Sequence, residues 1–238
     1  VWEPDSPKAA LELGGLTGRV TALAFLPDNR TLLAADGNAG AAARLVRYQL
    51  PETEPQAVVA AHADTIFALC CSPDGSLIAS GSADKLVKLW QVSNLVELAR
   101  LEGHSGHVVS LTFRRDGLQL ASGGADRDVK VWDIKTRQQA MTVGPYRAAV
   151  TAIGWGEGAH VFVAGEDGTI HLATAGESEI GRPFPAADDV IHAIAVSSTG
   201  KQIFAGGHDG RVYVWNSDGK LESKLDPVPP EADPVAKP

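Results

Sequence analysis

The sequence predicts an all-β chain of repeated four-stranded antiparallel units, stacked as the blades of a β-propeller. Three observations lead there: a repeat of about 42 residues, strands that alternate in period two, and Gly, Asp and Pro turns at matching places in each copy. Five copies are present. Their first strands open on Val20, Ile66, Val108, Val150 and Ile191, at intervals of 46, 42, 42 and 41 residues. No segment holds an apolar i, i+3, i+4, i+7 stripe across a whole unit, so a helical reading fails. One four-stranded sheet cannot bury both of its faces, and the units must therefore stack around an axis.

Within a unit the elements follow a set order. The first strand runs from its β-branched opening residue to Phe25, Cys71, Phe113, Trp155 or Val196, five positions on. A tight turn follows, as in Leu26-Pro27-Asp28-Asn29, Ser72-Pro73-Asp74-Gly75 or Arg115-Asp116-Gly117. The second strand ends in small residues (Leu77–Ser82, Leu118–Gly124), and a second turn carries Asp84, Asp126, Asp167 or Asp209. The third strand alternates, as in Leu86–Trp90 and Val129–Trp132. A more polar fourth strand closes the unit (Leu95–Leu101, Gln139–Val143, Leu221–Leu225).

Units begin near residues 14, 61, 102, 144 and 185. Ahead of the first, Val1-Trp2-Glu3 reads as the close of a third strand and Ala9–Leu13 as an outer strand, so residues 1–13 are expected to end a preceding blade. The propeller is placed at residues 1–225, five blades plus a partial one, and the chain is expected to be the C-terminal portion of a longer propeller. A closed five-bladed ring strapped by Val1–Leu13 is the alternative. Residues 226–238 hold five prolines in thirteen positions and read as a disordered or polyproline II tail.

Composition narrows the function classes. Hydrophobic residues make up 44% and charged residues 21%, which allows a packed core. Lys and Arg total 21 against 29 Asp and Glu, a net charge of −8 that argues against general nucleic-acid binding. No apolar run approaches the ~18 residues needed to span a bilayer. Cys70 and Cys71 are the only cysteines, so there is no disulfide framework, CxxC or CxxCH; they should sit on opposite faces of one strand as buried thiols. P-loop, nucleophile-elbow, HExxH and EF-hand patterns are absent, and Gly154-Trp155-Gly156-Glu157-Gly158 misses the dinucleotide spacing. Asn29-Arg30-Thr31 reads as a turn rather than a glycosylation site.

The unit resembles the WD repeat over roughly residues 14–225. The third copy shows it most fully, in Gly103-His104, Val108–Phe113, Asp116-Gly117, Leu120–Gly124, Asp126 and Val129–Asp133. The second carries Ala61-His62, Ser72–Gly75, Ile78–Ser82, Asp84 and Lys88-Leu89-Trp90. In both, His precedes Ser by 18 residues, Ser precedes Asp by 4, and Asp precedes Trp by 6. A further resemblance rests on Ala61–Trp90, the divergent fourth copy, and Gly206-Gly207-His208-Asp209-Gly210 with Val214-Trp215-Asn216 before a Pro-rich tail. These are similar to WD-repeat regions of large bacterial envelope proteins with a c-type cytochrome domain upstream. That resemblance implies an envelope location, against a cytoplasmic one otherwise; lacking CxxCH, this chain cannot itself attach haem.

Ser, His and Asp together invite a hydrolase reading. The WD resemblance implies instead that His62, Ser80, Asp84 and Trp90, and likewise His104, Ser122, Asp126 and Trp132, form buried structural hydrogen-bond chains. Their chemistry suits this: indole N–H only donates, hydroxyl and imidazole relay, and carboxylate accepts. Duplication also counts against catalysis. The fourth copy has Tyr146 for His and Ala173 for Trp while keeping Asp167; the fifth keeps Asp209 and Trp215 but has Ala187 and Ala205. The first has Leu16, Ala34 and Asn38, then an insertion at Gly40–Ala43.

The resemblance also places partners on one rim, made by the opening of each first strand and the residue before the turn Asp. Arg19, Phe67, His107, Glu166, His192 and His208 are the candidate partner-binding residues. His192 and His208 share a copy while His107 lies two blades away, so a zinc site would need convergence that sequence does not show. No catalytic residue, metal ligand or cofactor is expected. The expected function is a non-catalytic protein–protein interaction scaffold. Alternatives are an accessory propeller of an envelope redox protein, and a propeller enzyme or metal site on the axis.

Overall fold

The computed structural model describes residues 11–177, 179–184, 187 and 189–226, which form strands and connecting turns without a helix. Blade 1 comprises β1 (Arg19–Phe25), β2 (Thr31–Gly37), β3 (Ala43–Gln49) and β4 (Ala57–His62). Blade 2 comprises β5 (Ile66–Cys71), β6 (Leu77–Ser82), β7 (Val87–Gln91) and β8 (Glu97–Leu101). Blade 3 holds β9 (Val108–Phe113), β10 (Gln119–Gly124), β11 (Val129–Asp133) and β12 (Gln138–Val143). Blade 4 holds β13 (Val150–Trp155), β14 (His160–Gly165), β15 (Ile170–Thr174) and β16 (Ile180–Pro183). Blade 5 holds β17 (Ile191–Val196), β18 (Gln202–Gly207), β19 (Val212–Asn216) and β20 (Leu221–Leu225). Each blade is an antiparallel meander in chain order.

The turns explain the meander. Gly75, Gly117 and Gly200 take φ of 71°, 72° and 72° after the first strand, and Asn29 does so at 53°. Behind the turn Asp the backbone is again left-handed, at Lys85 (73°), Arg127 (69°), Gly168 (74°) and Gly210 (77°).

The first strands pack side by side, β1 on β5, β5 on β9, β9 on β13 and β13 on β17; no comparable packing joins β17 to β1. Residues of all five first strands line one axial channel of ≈ 480 Å³. Between blades lie the cores. Ala79, Val87, Leu89 and Leu101 of blade 2 meet Val108, Leu111, Phe113 and Trp132 of blade 3, and the other adjacent pairs repeat the scheme. Cys70 joins the core between blades 2 and 3 while Cys71 joins that between blades 1 and 2, as alternation along β5 requires.

Some expected boundaries differ, and others fall outside the described residues. The readings of residues 1–10 and 227–238 lie outside the described residues. Of the expected outer strand Ala9–Leu13, Leu11–Leu13 belong to no strand; Leu13 and Leu16 instead pack on Leu32, Ala34, Val46 and Tyr48 of blade 1. The outer strand expected from Leu95 starts at Glu97, because Leu95 closes a tight turn at φ 53° with its N–H on the Gln91 carbonyl.

Candidate functional site: the rim and the polar chains beneath it

One backbone irregularity builds the rim. In every blade the pairing of first and second strands slips by one residue near the strand's start: Ile66 faces Ser82 and Ala68 faces Gly81, leaving Phe67 without a partner. The same bulge leaves out Thr21, Val109, Thr151 and His192. A bulge re-aims its extra side chain and restores alternation afterwards, so apolar residues five apart share a face. A second link gathers the rim. The N–H before each turn Asp donates to the carbonyl at the first-strand opening: Ala83 to Thr65, Ala125 to His107, Glu166 to Ala149 and His208 to Val190, at 2.8–3.0 Å.

The six candidate rim residues are all exposed. The structure joins some of them. Phe67 packs against His107 across blades 2 and 3, the rings tilted by 31° with centroids 6.0 Å apart. His192 Nε2 lies 3.2 Å from His208 Nδ1. Phe67 and His192 both line the axial channel, and Arg19 shares with Phe67 a groove of ≈ 530 Å³ between blades 1 and 2. Glu166 stands apart, tied only through its backbone. Among the described residues no three His, Cys, Asp or Glu side chains converge to hold a metal ion.

Beneath the rim run two polar chains. Trp90 Nε1–H donates to Ser80 Oγ at 2.8 Å, Ser80 lies 2.7 Å from His62 Nε2, and His62 Nδ1 lies 2.9 Å from Asp84. Blade 3 repeats this through Trp132, Ser122, His104 and Asp126 at 2.8, 2.7 and 2.9 Å. The only direction consistent with an indole donor and a carboxylate acceptor makes each serine donate to Nε2 and each imidazole donate from Nδ1. Burial lowers both histidines below their ordinary pKa despite the nearby carboxylates, so they stay neutral. Burial also pushes Asp84 and Asp126 up, but the histidines and backbone N–H donors outweigh it and hold both below the usual carboxylate value. His62 ends β4 of blade 1, so its chain staples blade 1 to blade 2. Both serines are fully buried and already hydrogen-bonded, which leaves neither available as a nucleophile.

Sequence reasoning missed several members. In blade 1 the buried acid is Asp36, not the position of Asn38. Its carboxylate is paired with Arg44 and accepts from the N–H groups of Thr17 (2.8 Å) and Gly18 (3.1 Å). Tyr48 stands at the Trp position and reaches past Ala34 to donate to the Gly14 carbonyl at 2.7 Å. Lys88 is buried with its ammonium on the Glu97 carboxylate and 5.5 Å from the Trp90 ring centroid. Lys130 is likewise buried, with its ammonium donating to Thr142 Oγ1 at 3.1 Å; Lys two residues before Trp, only in the two complete copies, was the available signal. At the other end of the axis Arg115 donates to the Ser197 carbonyl at 2.7 Å and to that of Ser198, bridging blades 3 and 5.

Residues 53–91, 95–133 and 180–216 match the family described as WD domain, G-beta repeat. The chain carries WD repeats. Each matched segment spans the outer strand of one blade and the first three strands of the next, or most of that span. The chain is also 37% identical over 68 residues to intraflagellar transport protein 122 homolog of Mus musculus, covering 29% of this chain and 5% of that protein. The match thus spans about one-twentieth of the relative's length. The usual role of WD repeats is to bind other proteins.

Proposed function

We propose that this WD-repeat propeller is a non-catalytic interaction module that presents its bulged rim to a partner protein. One observation carries the reading: the bulge in β5 turns Phe67 outward, where it packs at a tilt against His107 at the mouth of the axial channel. An exposed aromatic held by a rigid sheet gives contact area at little ordering cost, as interface anchors do. Arg19 shares a groove with it and His192 lines the same channel, His208 lies beside His192, and Glu166 adds an acidic point on the same rim. The opposite opening is crossed by Arg115.

The test compares two exposed apolar residues at opposite ends of the axis, Phe67 and Leu118. The immobilised chain and its Phe67→Ser and Leu118→Ser variants are exposed to the same extract, and retained proteins are quantified. The reading expects a protein kept by the chain and by Leu118→Ser but lost with Phe67→Ser. Equal retention by both variants, or loss with Leu118→Ser alone, overturns it.

A further inference from the structure

Blade 5 places an imidazole at both of the rim positions that a blade brings together. The bulge residue of the first strand is Thr21, Phe67, Val109, Thr151 or His192 in blades 1 to 5. The residue before the turn Asp is Ala83, Ala125, Glu166 or His208 in blades 2 to 5. Backbone pairing fixes the two histidines. β17 slips between Ile191 and Ala193, which face Gly207 and Gly206, so His192 stands out beside the end of β18. His208 is the first residue after β18, and its N–H donates to the Val190 carbonyl at 2.8 Å. Both side chains therefore rise from hydrogen-bonded backbone, which holds their spacing.

The rings meet edge to face, at 69° with centroids 5.4 Å apart, and His192 Nε2 lies 3.2 Å from His208 Nδ1. One nitrogen donates its N–H and the other accepts, so one lone pair already points into the space between them. Zinc–imidazole bonds of about 2.0–2.1 Å at tetrahedral angles set two ligand nitrogens about 3.3 Å apart, close to the spacing of this pair. Adjacent ligands of a square-planar ion at the same bond length would stand roughly 2.8 Å apart, a poorer match. For zinc to bind, the hydrogen between the rings passes to the far nitrogen of its own ring, so neither ring changes charge. Both rings then turn their lone pairs toward one point on the solvent side. The two side chains are exposed, which leaves room for that turn and for water in the remaining positions. Among the described residues no third His, Cys, Asp or Glu joins them, so oxygen-seeking ions such as magnesium and calcium find no ligand set.

We propose that His192 and His208 form a two-ligand zinc site where the rim meets the axial channel, completed by water in the isolated chain. Two nitrogens fall short of the three or four protein ligands of a permanent centre, so the ion exchanges readily and loads only when zinc is supplied. The site needs neither Phe67 nor a partner protein, so it and the rim reading can each fail without the other.

The test is a titration of the whole chain with zinc chloride, followed by calorimetry and by the ring signals of its seven histidines in nuclear magnetic resonance. One equivalent should bind, and the His192 and His208 rings should respond together while those of His107, His160 and His171 stay in place. His192→Ala and His208→Ala should each weaken zinc binding at least tenfold, because either leaves a single imidazole, whereas His107→Ala should leave it unchanged. Magnesium chloride should move neither ring. Both side chains are exposed, so the two variants should keep the parent's urea midpoint; should either unfold, the ring signals of the unaltered chain decide alone. No saturation by about 1 mM zinc overturns the proposal. So does binding that survives in either single variant, or that is weakened equally by His107→Ala.

Discussion

Blades 2 and 3 complete the polar chain from indole to carboxylate, whereas blades 4 and 5 break it in different places. Blade 4 loses the indole and the hydroxyl, since Ala173 and Val163 stand there, and keeps Asp167, which turns to Thr169 at 2.6 Å. Blade 5 keeps both ends and loses the middle. Its Asp209 accepts from Tyr213 Oη at 2.7 Å, while Trp215 stacks on Tyr213 with centroids 5.6 Å apart. Among the described residues the two buried side-chain polar atoms without a partner are Tyr146 Oη in blade 4 and Trp215 Nε1 in blade 5. Trp215 is nevertheless as buried as Trp132. Burial of the ring is therefore set by packing between blades, and the hydrogen-bond chain adds position: it fixes where blade 2 meets the end of β4 and where blade 3 meets the loop after β8.

The largest separation between the two pairs is expected on removing the acid. Asp126→Ala strands the His104 Nδ1–H and the Ser105 N–H, which reaches that carboxylate at 2.8 Å, and should cost about 1–3 kcal/mol in urea denaturation. Asp167→Ala frees only groups beside solvent and should shift the midpoint much less. Equal losses in the two variants would show that the complete chain has no special standing.

Acid separates them next. His62 and His104 are held below their ordinary 6.5, chiefly by burial, so as pH falls the unfolded chain binds protons before the folded one. Stability from these groups is whole above pH 6.5 and declines below it; Asp84 and Asp126, held below 3.8, extend the loss at lower pH. The urea midpoint should therefore drop between pH 7 and pH 5, and the variant carrying His62→Gln and His104→Gln should show a shallower drop. An unchanged slope would place the acid sensitivity in the histidines outside the chains.

How far this contrast was legible depends on register. The two quartets could be read because their offsets of 18, 4 and 6 residues repeat without an insertion between them. In blade 1 the hairpin between β2 and β3 is longer, so counting forward from Ala34 lands on Asn38 while the buried acid sits two residues earlier, at Asp36. The bulge was present in the sequence only as an oddity: ridge residues five apart cannot share one face of a regular strand. Lys88 and Lys130 escaped because a charged residue in an alternating strand reads as solvent-facing, yet both are buried and their ammonium groups find oxygens. Phe67 could be placed on the rim by position, but its contact with His107 depends on the angle between two blades, which no local pattern encodes.

The smallest expected effect sharpens the account of blade 4. Tyr146 is buried among Val143, Val150 and Val163, and burial drives its phenol pKa far above its usual 10. Its hydroxyl borders a cavity of ≈ 10 Å³ with Asp167 and His171 in the lining. A buried hydroxyl without a partner costs stability, and removing it while keeping the ring leaves the packing of blades 3 and 4 in place. Tyr146→Phe should therefore be neutral or stabilising by up to about 1 kcal/mol, whereas Ser122→Ala, which strips the middle of a complete chain, should destabilise. If Tyr146→Phe instead lowers the urea midpoint, the hydroxyl is paired, most simply through a water in that cavity, and blade 4 carries a polar chain of its own in place of the one it lost.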